Sequence, residues 1–134
     1  MTHIVLDTNI VLDLFVFNDV AAQPLHGALA SSTLRWIATA PMREELVRVL
    51  AYPQIVKSLR HHQIAAGQVL QRFDALTHML DAPAKAPVTC KDPDDQKFID
   101  LAVAHQARLL SKDGAVLCMQ KRLSALGVLA QTAI

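Results

Sequence analysis

The sequence predicts an α/β fold in which helices cover both faces of a central, mainly parallel β-sheet. Two observations support this fold class. Short apolar runs, such as residues 4–6 and 109–110, alternate along the chain with stretches whose apolar residues recur at helical spacing. These short runs are apolar at successive positions, which is typical of parallel strands that are buried on both faces.

The composition indicates one compact domain over residues 1–134. Hydrophobic residues make up 52% of the chain and charged residues 19%, a balance that favours a well-packed core over disorder. No apolar run reaches the roughly 18 residues that a membrane-spanning helix needs, and no basic flank precedes the first apolar stretch. We therefore expect no signal peptide and no membrane partner. The two cysteines, Cys90 and Cys118, form no CxxC pair and suit a reducing, cytoplasmic setting.

The charge balance restricts the ways in which the chain could bind nucleic acid. The formal net charge is +1, so a polyanion would have to bind to a local basic patch instead of being attracted by the whole surface. Aromatic residues are 4% of the chain, which is too few for base-stacking platforms. The composition therefore argues against an RNA-binding fold of the RRM or OB type.

The first half of the chain is predicted to contain two strands and three helices. A strand ends at Asp7, and the polar pair Thr8-Asn9 that follows it marks a sharp turn into a helix. The remaining elements are a helix over residues 20–31, a strand over residues 35–39 and a helix from Pro41 to Leu50.

The second half repeats this alternation of helices and strands. A short helix is predicted over residues 55–60 and a longer one over residues 62–80, followed by a linker-like stretch over residues 82–87 that is too short to divide the chain into domains. After a brief extended piece at residues 88–90 come a helix that carries Phe98 and Ala102, a strand over residues 109–111, a helix over residues 115–126 that Gly127 would cap, and a closing strand over residues 128–130.

Four acidic residues are predicted to converge at one edge of the sheet. Asp7 and Asp113 both follow predicted strands, and the carboxyl ends of adjacent parallel strands meet at the edge where open α/β sheets bind ligands. Glu45 lies beside the apolar stripe of its helix, and Asp95 precedes Ile99 at the spacing that faces the sheet.

Such a cluster needs a cation. Several carboxylates within a few ångströms repel one another, so at least one would have to stay protonated unless a divalent ion binds. Carboxylates without His or Cys ligands suit hard ions such as Mg²⁺ or Mn²⁺. Because Mg²⁺ keeps much of its water shell, a site of this kind supports phosphate chemistry.

The order of these motifs resembles the PIN-domain family, in particular the small bacterial members described as toxin components of toxin–antitoxin pairs. Four segments carry the resemblance: residues 4–9 (IVLDTN), 44–46 (EEL), 92–102 (DPDDQKFIDLA) and 110–113 (LSKD). Their order and spacing fit over essentially the whole chain. The resemblance implies a three-layer α/β/α sandwich that carries the site of a metal-dependent ribonuclease.

The resemblance also implies roles for the four acids. Asp7, Glu45 and Asp95 would hold the Mg²⁺ or Mn²⁺ ion or ions, and Asp113 would be a fourth acid that acts directly or through water. For the third acid Asp95 is preferred, because it precedes Phe98 and Ala102 at the spacing that faces the sheet; Asp92 is the alternative that could replace or supplement it, and the number of ions stays open.

Polar and basic neighbours of these acids are further candidates. Thr8 or Asn9 would orient Asp7 or contact the substrate. Arg43, Arg48 and Lys112 lie close to the acids in sequence and are candidates for holding the RNA strand.

The function that the resemblance implies is an endoribonuclease that hydrolyses RNA phosphodiester bonds and is the toxin neutralised by an antitoxin protein; similar proteins are often homodimers. A water molecule activated by the metal would attack the phosphodiester in line. An alternative is a non-catalytic RNA-binding or regulatory module with the same fold. A two-component receiver domain is disfavoured, because a single acid, Asp7, follows the first strand where a receiver needs a pair.

Overall fold

A computed structural model describes residues 2–134 of the chain. Its centre is a five-stranded sheet in the order β3-β2-β1-β4-β5, in which every pair of neighbouring strands is parallel. The strands are β1 (Thr2–Leu6), β2 (Leu34–Ala38), β3 (Thr77–Met79), β4 (Arg108–Leu110) and β5 (Ala130–Gln131). The helices of this region are α1 (Thr8–Phe15), α2 (Gln23–Ala30), α3 (Ala40–Leu50), α4 (Pro53–His61), α5 (Ala66–Leu76), α6 (Gln96–His105), α7 (Gly114–Leu117) and α8 (Gln120–Ala125). None of these helices combines the length and the apolar character needed to cross a bilayer.

Helices flank the sheet on both faces. The ring of Trp36 in β2 packs on one face against Phe15 of α1 and Phe73 of α5, with centroid separations of 5.8 and 5.2 Å. His3 of β1 lies opposite Arg35, the neighbour of Trp36 in β2, and neighbouring residues of a strand point to opposite faces. The His3 ring therefore lies on the other face of the sheet, 6.0 Å from the ring of His105 in α6. The predicted three-layer α/β/α class is therefore confirmed.

The central strand, β1, determines where the predicted acids lie. Ile4 and Val5 are fully buried, and β1 pairs with β4 so that Leu6 lies opposite Leu110. The backbone N–H of Asp7 continues this ladder by donating to the carbonyl oxygen of Leu110 at 2.9 Å. The residues that follow β1 and β4 consequently lie side by side at the carboxyl edge of the sheet.

One expectation for the middle of the chain was wrong. The helix predicted over residues 62–80 is shorter, because α5 ends at Leu76, where Thr77 turns to extended backbone and its hydroxyl donates to the carbonyl oxygen of Phe73 at 2.8 Å. The chain then forms β3, which pairs with β2. The stretch at residues 88–90, predicted as a brief extended piece, is held by the side chain of Gln96, which accepts from the N–H of Cys90 at 2.7 Å and donates to the carbonyl oxygen of Val88 at 3.0 Å.

The end of the chain also differs in detail from the prediction. The last predicted helix is divided into α7 and α8 at Cys118 and Met119, and β5 begins two residues later and ends one residue later than the strand predicted at 128–130. Gly127 follows α8 with a φ of +81°, as expected of a capping glycine. A Cβ added at Gly127 would lie 3.0 Å from the side-chain amide nitrogen, Nε2, of Gln106.

Candidate metal centre

Asp7 is buried at the carboxyl end of β1, with 4% of its surface exposed. It occupies the N-cap position of α1, yet its side chain accepts no capping hydrogen bond. Instead, its Oδ2 accepts a hydrogen bond of 2.6 Å from the hydroxyl of Ser111, which follows β4 and is fully buried. A helix cap alone therefore does not explain why an aspartate is buried at this position.

Asp113 is held beside Asp7 through the same serine. Its backbone N–H donates to Ser111 Oγ at 3.0 Å, and its Oδ1 accepts from the N–H of Ala115 at 2.9 Å, which caps α7. Ser111 thus connects the two acids that follow β1 and β4. These bonds fix the orientation of both carboxylates.

Asp95 approaches from the start of α6. It ends a short 3-10 turn (Pro93–Asp95) and is 6% exposed, and its Oδ2 has no hydrogen-bond partner within residues 2–134. Asp92, the alternative third acid, caps this turn by accepting from the N–H of Asp94 at 3.0 Å. The structure therefore brings Asp95 to Asp7 and Asp113, whereas Asp92 has a local structural role.

The three carboxylates converge closely enough to share one ion. One oxygen from each of Asp7, Asp95 and Asp113 lies within 4.8 Å of the others. Across the described part of the chain, none of the three forms an ion pair with a basic side chain. Three acids with little access to solvent and no counterion are a costly arrangement for the folded chain.

The electrostatics of the cluster reflect this cost. Burial, the adjacent carboxyl of Asp113 and the charge of Asp7 raise the pKa of Asp95 to about 8. Burial likewise raises the pKa of Asp7, an effect that the Ser111 hydrogen bond opposes and the charges of Glu45 and Asp113 reinforce. A divalent cation fits this donor set, because it would supply the missing charge and a partner for the orphaned oxygen of Asp95.

Glu45 lies on α3 at the side of this cluster and is bonded differently. Its Oε2 accepts from the hydroxyl of Thr8, and its Oε1 accepts from the ammonium group of Lys97 at 2.7 Å. Glu45 is not among the residues whose carboxylate oxygens converge, although its charge contributes to the raised pKa of Asp7. Of the four predicted acids, the structure thus groups three and places the fourth beside them, already paired.

Comparison with known proteins now identifies the family. The family model described as PIN domain matches residues 3–113. The chain belongs to the PIN domain family. A solved structure, VapBC2 from Rickettsia felis bound to a DNA fragment from its promoter, is similar to this PIN domain over 96% of the chain and 98% of that chain, with a TM-score of 0.63 and 14% identity. That likeness is one of fold. A search of curated proteins gives no match.

Two residues of this PIN domain's site were not predicted from sequence. Ser111 was predicted only as the last residue of a strand and as part of the 110–113 motif, whereas in the structure its hydroxyl bonds both Asp7 and the N–H of Asp113. Lys97 gave no signal, because its partner Glu45 is 52 residues away in the sequence.

Two of the basic residues suggested as RNA contacts are bound to other acids. Arg43 forms a two-pronged ion pair with Asp74 at 2.8 and 2.9 Å on an exposed surface. The ammonium group of Lys112 pairs with Asp13. Neither side chain is therefore directed at the acid cluster as an unpaired charge.

Proposed function

We propose that this PIN domain is a metal-dependent endoribonuclease and the toxin of a toxin–antitoxin pair. The observation that carries the proposal is the group formed by Asp7, Asp95 and Asp113, whose convergent carboxylates have no counterion in the described chain and include one orphaned buried oxygen. PIN domains are in general nucleases that use divalent metals, and the three convergent carboxylates support the proposal that such an ion binds here.

In the proposed mechanism, the three acids hold Mg²⁺ or Mn²⁺, and Glu45 is the fourth acid at the edge of the site. The bound ion would polarise a phosphate oxygen and lower the pKa of a water molecule for hydrolysis. The chain's own contribution is orientation. Ser111 fixes one oxygen of Asp7, and the N–H of Ala115 fixes one oxygen of Asp113, so that both carboxylates are aligned before the ion or substrate binds.

The toxin role and the partners belong to the same proposal. RNA as substrate, a cognate antitoxin protein, a homodimeric assembly and a cytoplasmic location follow from the resemblance to PIN-domain toxins. The similarity of fold to VapBC2 supports the antitoxin partner. Expression of the chain alone should arrest growth, and co-expression of the neighbouring reading frame should relieve the arrest.

Cleavage of RNA by the purified chain tests the enzymatic proposal. Wild type should cut single-stranded RNA with Mn²⁺ or Mg²⁺ and leave it intact with EDTA, and Asp7→Asn should abolish cleavage while circular dichroism shows a folded chain. Asp81→Asn, at an exposed acid outside the cluster, is the matched control and should cut as wild type does. If Asp7→Asn cuts RNA as fast as wild type, the proposed site is wrong. Tight, metal-independent RNA binding without cleavage would instead indicate the non-catalytic RNA-binding module.

A further inference from the structure

Lys97 already supplies a cation at the side of the acid cluster. It lies in the first turn of α6, two residues after Asp95, and its ammonium group donates to Glu45 Oε1 at 2.7 Å and to the carbonyl oxygen of Asp94. The same nitrogen lies 5.1 Å from the centroid of the Phe98 ring, close enough for a cation–π contact. Lys97 and Glu45 have 22% and 16% of their side chains exposed, so the pair is largely withdrawn from solvent.

The contacts of Glu45 disfavour its carboxylate as a ligand of a metal ion. Each of its carboxylate oxygens already accepts a hydrogen bond, one from the Thr8 hydroxyl and the other from the ammonium group of Lys97. Within residues 2–134, Asp95 has the opposite character, with one buried oxygen that no donor reaches. The acids at this edge of the sheet therefore fall into a group of three that lacks a cation and a single acid that has one.

We infer that the site binds one divalent ion, held by Asp7, Asp95 and Asp113, and that Lys97 takes the place of a second ion by balancing the charge of Glu45. The inference rests on the proposed function and specifies its metal content. Two-ion nucleases place their ions about 3.5–4 Å apart and need carboxylates that reach both. Here a second ion would have to displace an ammonium group from a largely buried pair to reach Glu45. A lysine can act on phosphate groups as a compact point charge, so the positive charge is retained without a second metal.

Counting bound metal tests the inference without measuring activity. The full chain, freed of metal with chelator and dialysed, is titrated with Mn²⁺ by calorimetry, and bound Mn²⁺ is counted by electron paramagnetic resonance. Wild type should bind one ion. Lys97→Met keeps the apolar stem but frees Glu45, and it should bind two. The double variant Lys97→Met/Glu45→Gln should return to one ion, and Lys121→Met, which removes an exposed lysine from α8, should stay at one.

Binding of two ions by wild type, or of one ion by a folded Lys97→Met chain, would overturn the inference. If Lys97→Met does not fold, Glu45→Gln decides instead. It should keep one ion with an affinity within about tenfold of wild type, whereas loss of binding would show that Glu45 is a metal ligand. A wild-type chain that binds no Mn²⁺ at all would remove the proposed function itself, an outcome distinct from a stoichiometry of two.

Discussion

The acids near the ends of β1 and β4 fall into two groups, which differ in whether a lysine of the chain neutralises their charge. Asp7, Asp95 and Asp113 converge without a counterion among the described residues, and the pKa values of Asp7 and Asp95 are raised. Glu45 and Asp13 are also poorly exposed, yet each is paired with a lysine, Lys97 and Lys112 respectively. The same type of residue in the same part of the fold is therefore neutralised by the chain in one group and left unpaired in the other.

This difference separates structural acids from acids that are available to a ligand. A buried carboxylate that is paired within the chain can be retained for packing and orientation alone. A group of unpaired buried carboxylates destabilises the fold, so its persistence indicates a ligand that the chain does not supply. The four predictions below test that distinction, and the largest effects are expected in the unpaired group.

Asp95→Asn should have the largest effect, because it should weaken metal binding and also stabilise the metal-free fold. Removal of one of three converging carboxylates should weaken Mn²⁺ binding by about 100-fold or more. The metal-free fold should become more stable, because a buried and repelled acid is replaced by a neutral amide. Calorimetric titration and thermal melting in EDTA measure the two effects. Asp92→Asn is the matched control, since asparagine still caps the turn; retained binding by Asp95→Asn with loss in Asp92→Asn would contradict the assignment.

The metal-free chain should lose stability as the pH rises. Unfolded, Asp95 releases its proton near pH 4, whereas the folded chain holds it to about pH 8. Between these values the folded chain binds more protons, so the free energy of unfolding should fall by up to about 1.4 kcal/mol per pH unit. Urea denaturation in EDTA from about pH 5 to about pH 8 measures this slope, which Mn²⁺ should flatten and Asp95→Asn should reduce, leaving the part that the raised pKa of Asp7 contributes. A metal-free stability that rises through this window would contradict the raised pKa.

The unpaired group was largely predictable from the sequence, because its members are marked by local patterns. Asp7 and Asp113 follow short apolar strands, and parallel strand ends meet at one edge. Asp95 was preferred over Asp92 because it precedes Ile99 at the spacing of a buried helix face, and in the structure Asp95 is the one that converges with Asp7 and Asp113. The alternation of apolar strands with helices, together with the helical spacing around Asp95, thus predicts where these side chains lie.

The paired group was not predictable, because its contacts depend on the tertiary arrangement. Glu45 bonds Thr8 and Lys97, which are 37 and 52 residues away, and no local spacing indicates either partner. The strand β3 was missed for a related reason. Its three residues follow the helical stripe of α5 directly, and only the pairing of Trp36 with Thr77 distinguishes a strand from a further helical turn.

Ser111→Ala should produce an intermediate effect on the unpaired group. The substitution removes the hydrogen bond to Asp7 Oδ2 that opposes the rise in the Asp7 pKa, and it leaves the N–H of Asp113 without its acceptor. Mn²⁺ affinity at pH 7 should fall by roughly tenfold, as for other groups that orient metal ligands, and should recover partly as the pH rises. Titration of Mn²⁺ at two pH values measures this, with Ser111→Thr as the variant that keeps the hydroxyl. Equal affinities for Ser111→Ala and wild type would show that Asp7 needs no orienting donor.

The smallest effects are expected for ion pairs outside the cluster, and they should scale with burial. Lys112→Met leaves the carboxylate of Asp13 without its cation; the Asp13 side chain is 12% exposed, although that of Lys112 is 46% exposed, and the loss should lower the free energy of unfolding by roughly 1–3 kcal/mol. Arg43→Met breaks the exposed pair with Asp74, whose side chains are 38% and 47% exposed, and should cost less than about 1 kcal/mol. Urea denaturation of both variants at neutral pH provides the comparison. A larger loss for Arg43→Met than for Lys112→Met would mean that burial does not determine what a paired acid contributes to this fold, and the contrast between paired and unpaired acids would then lose its physical basis.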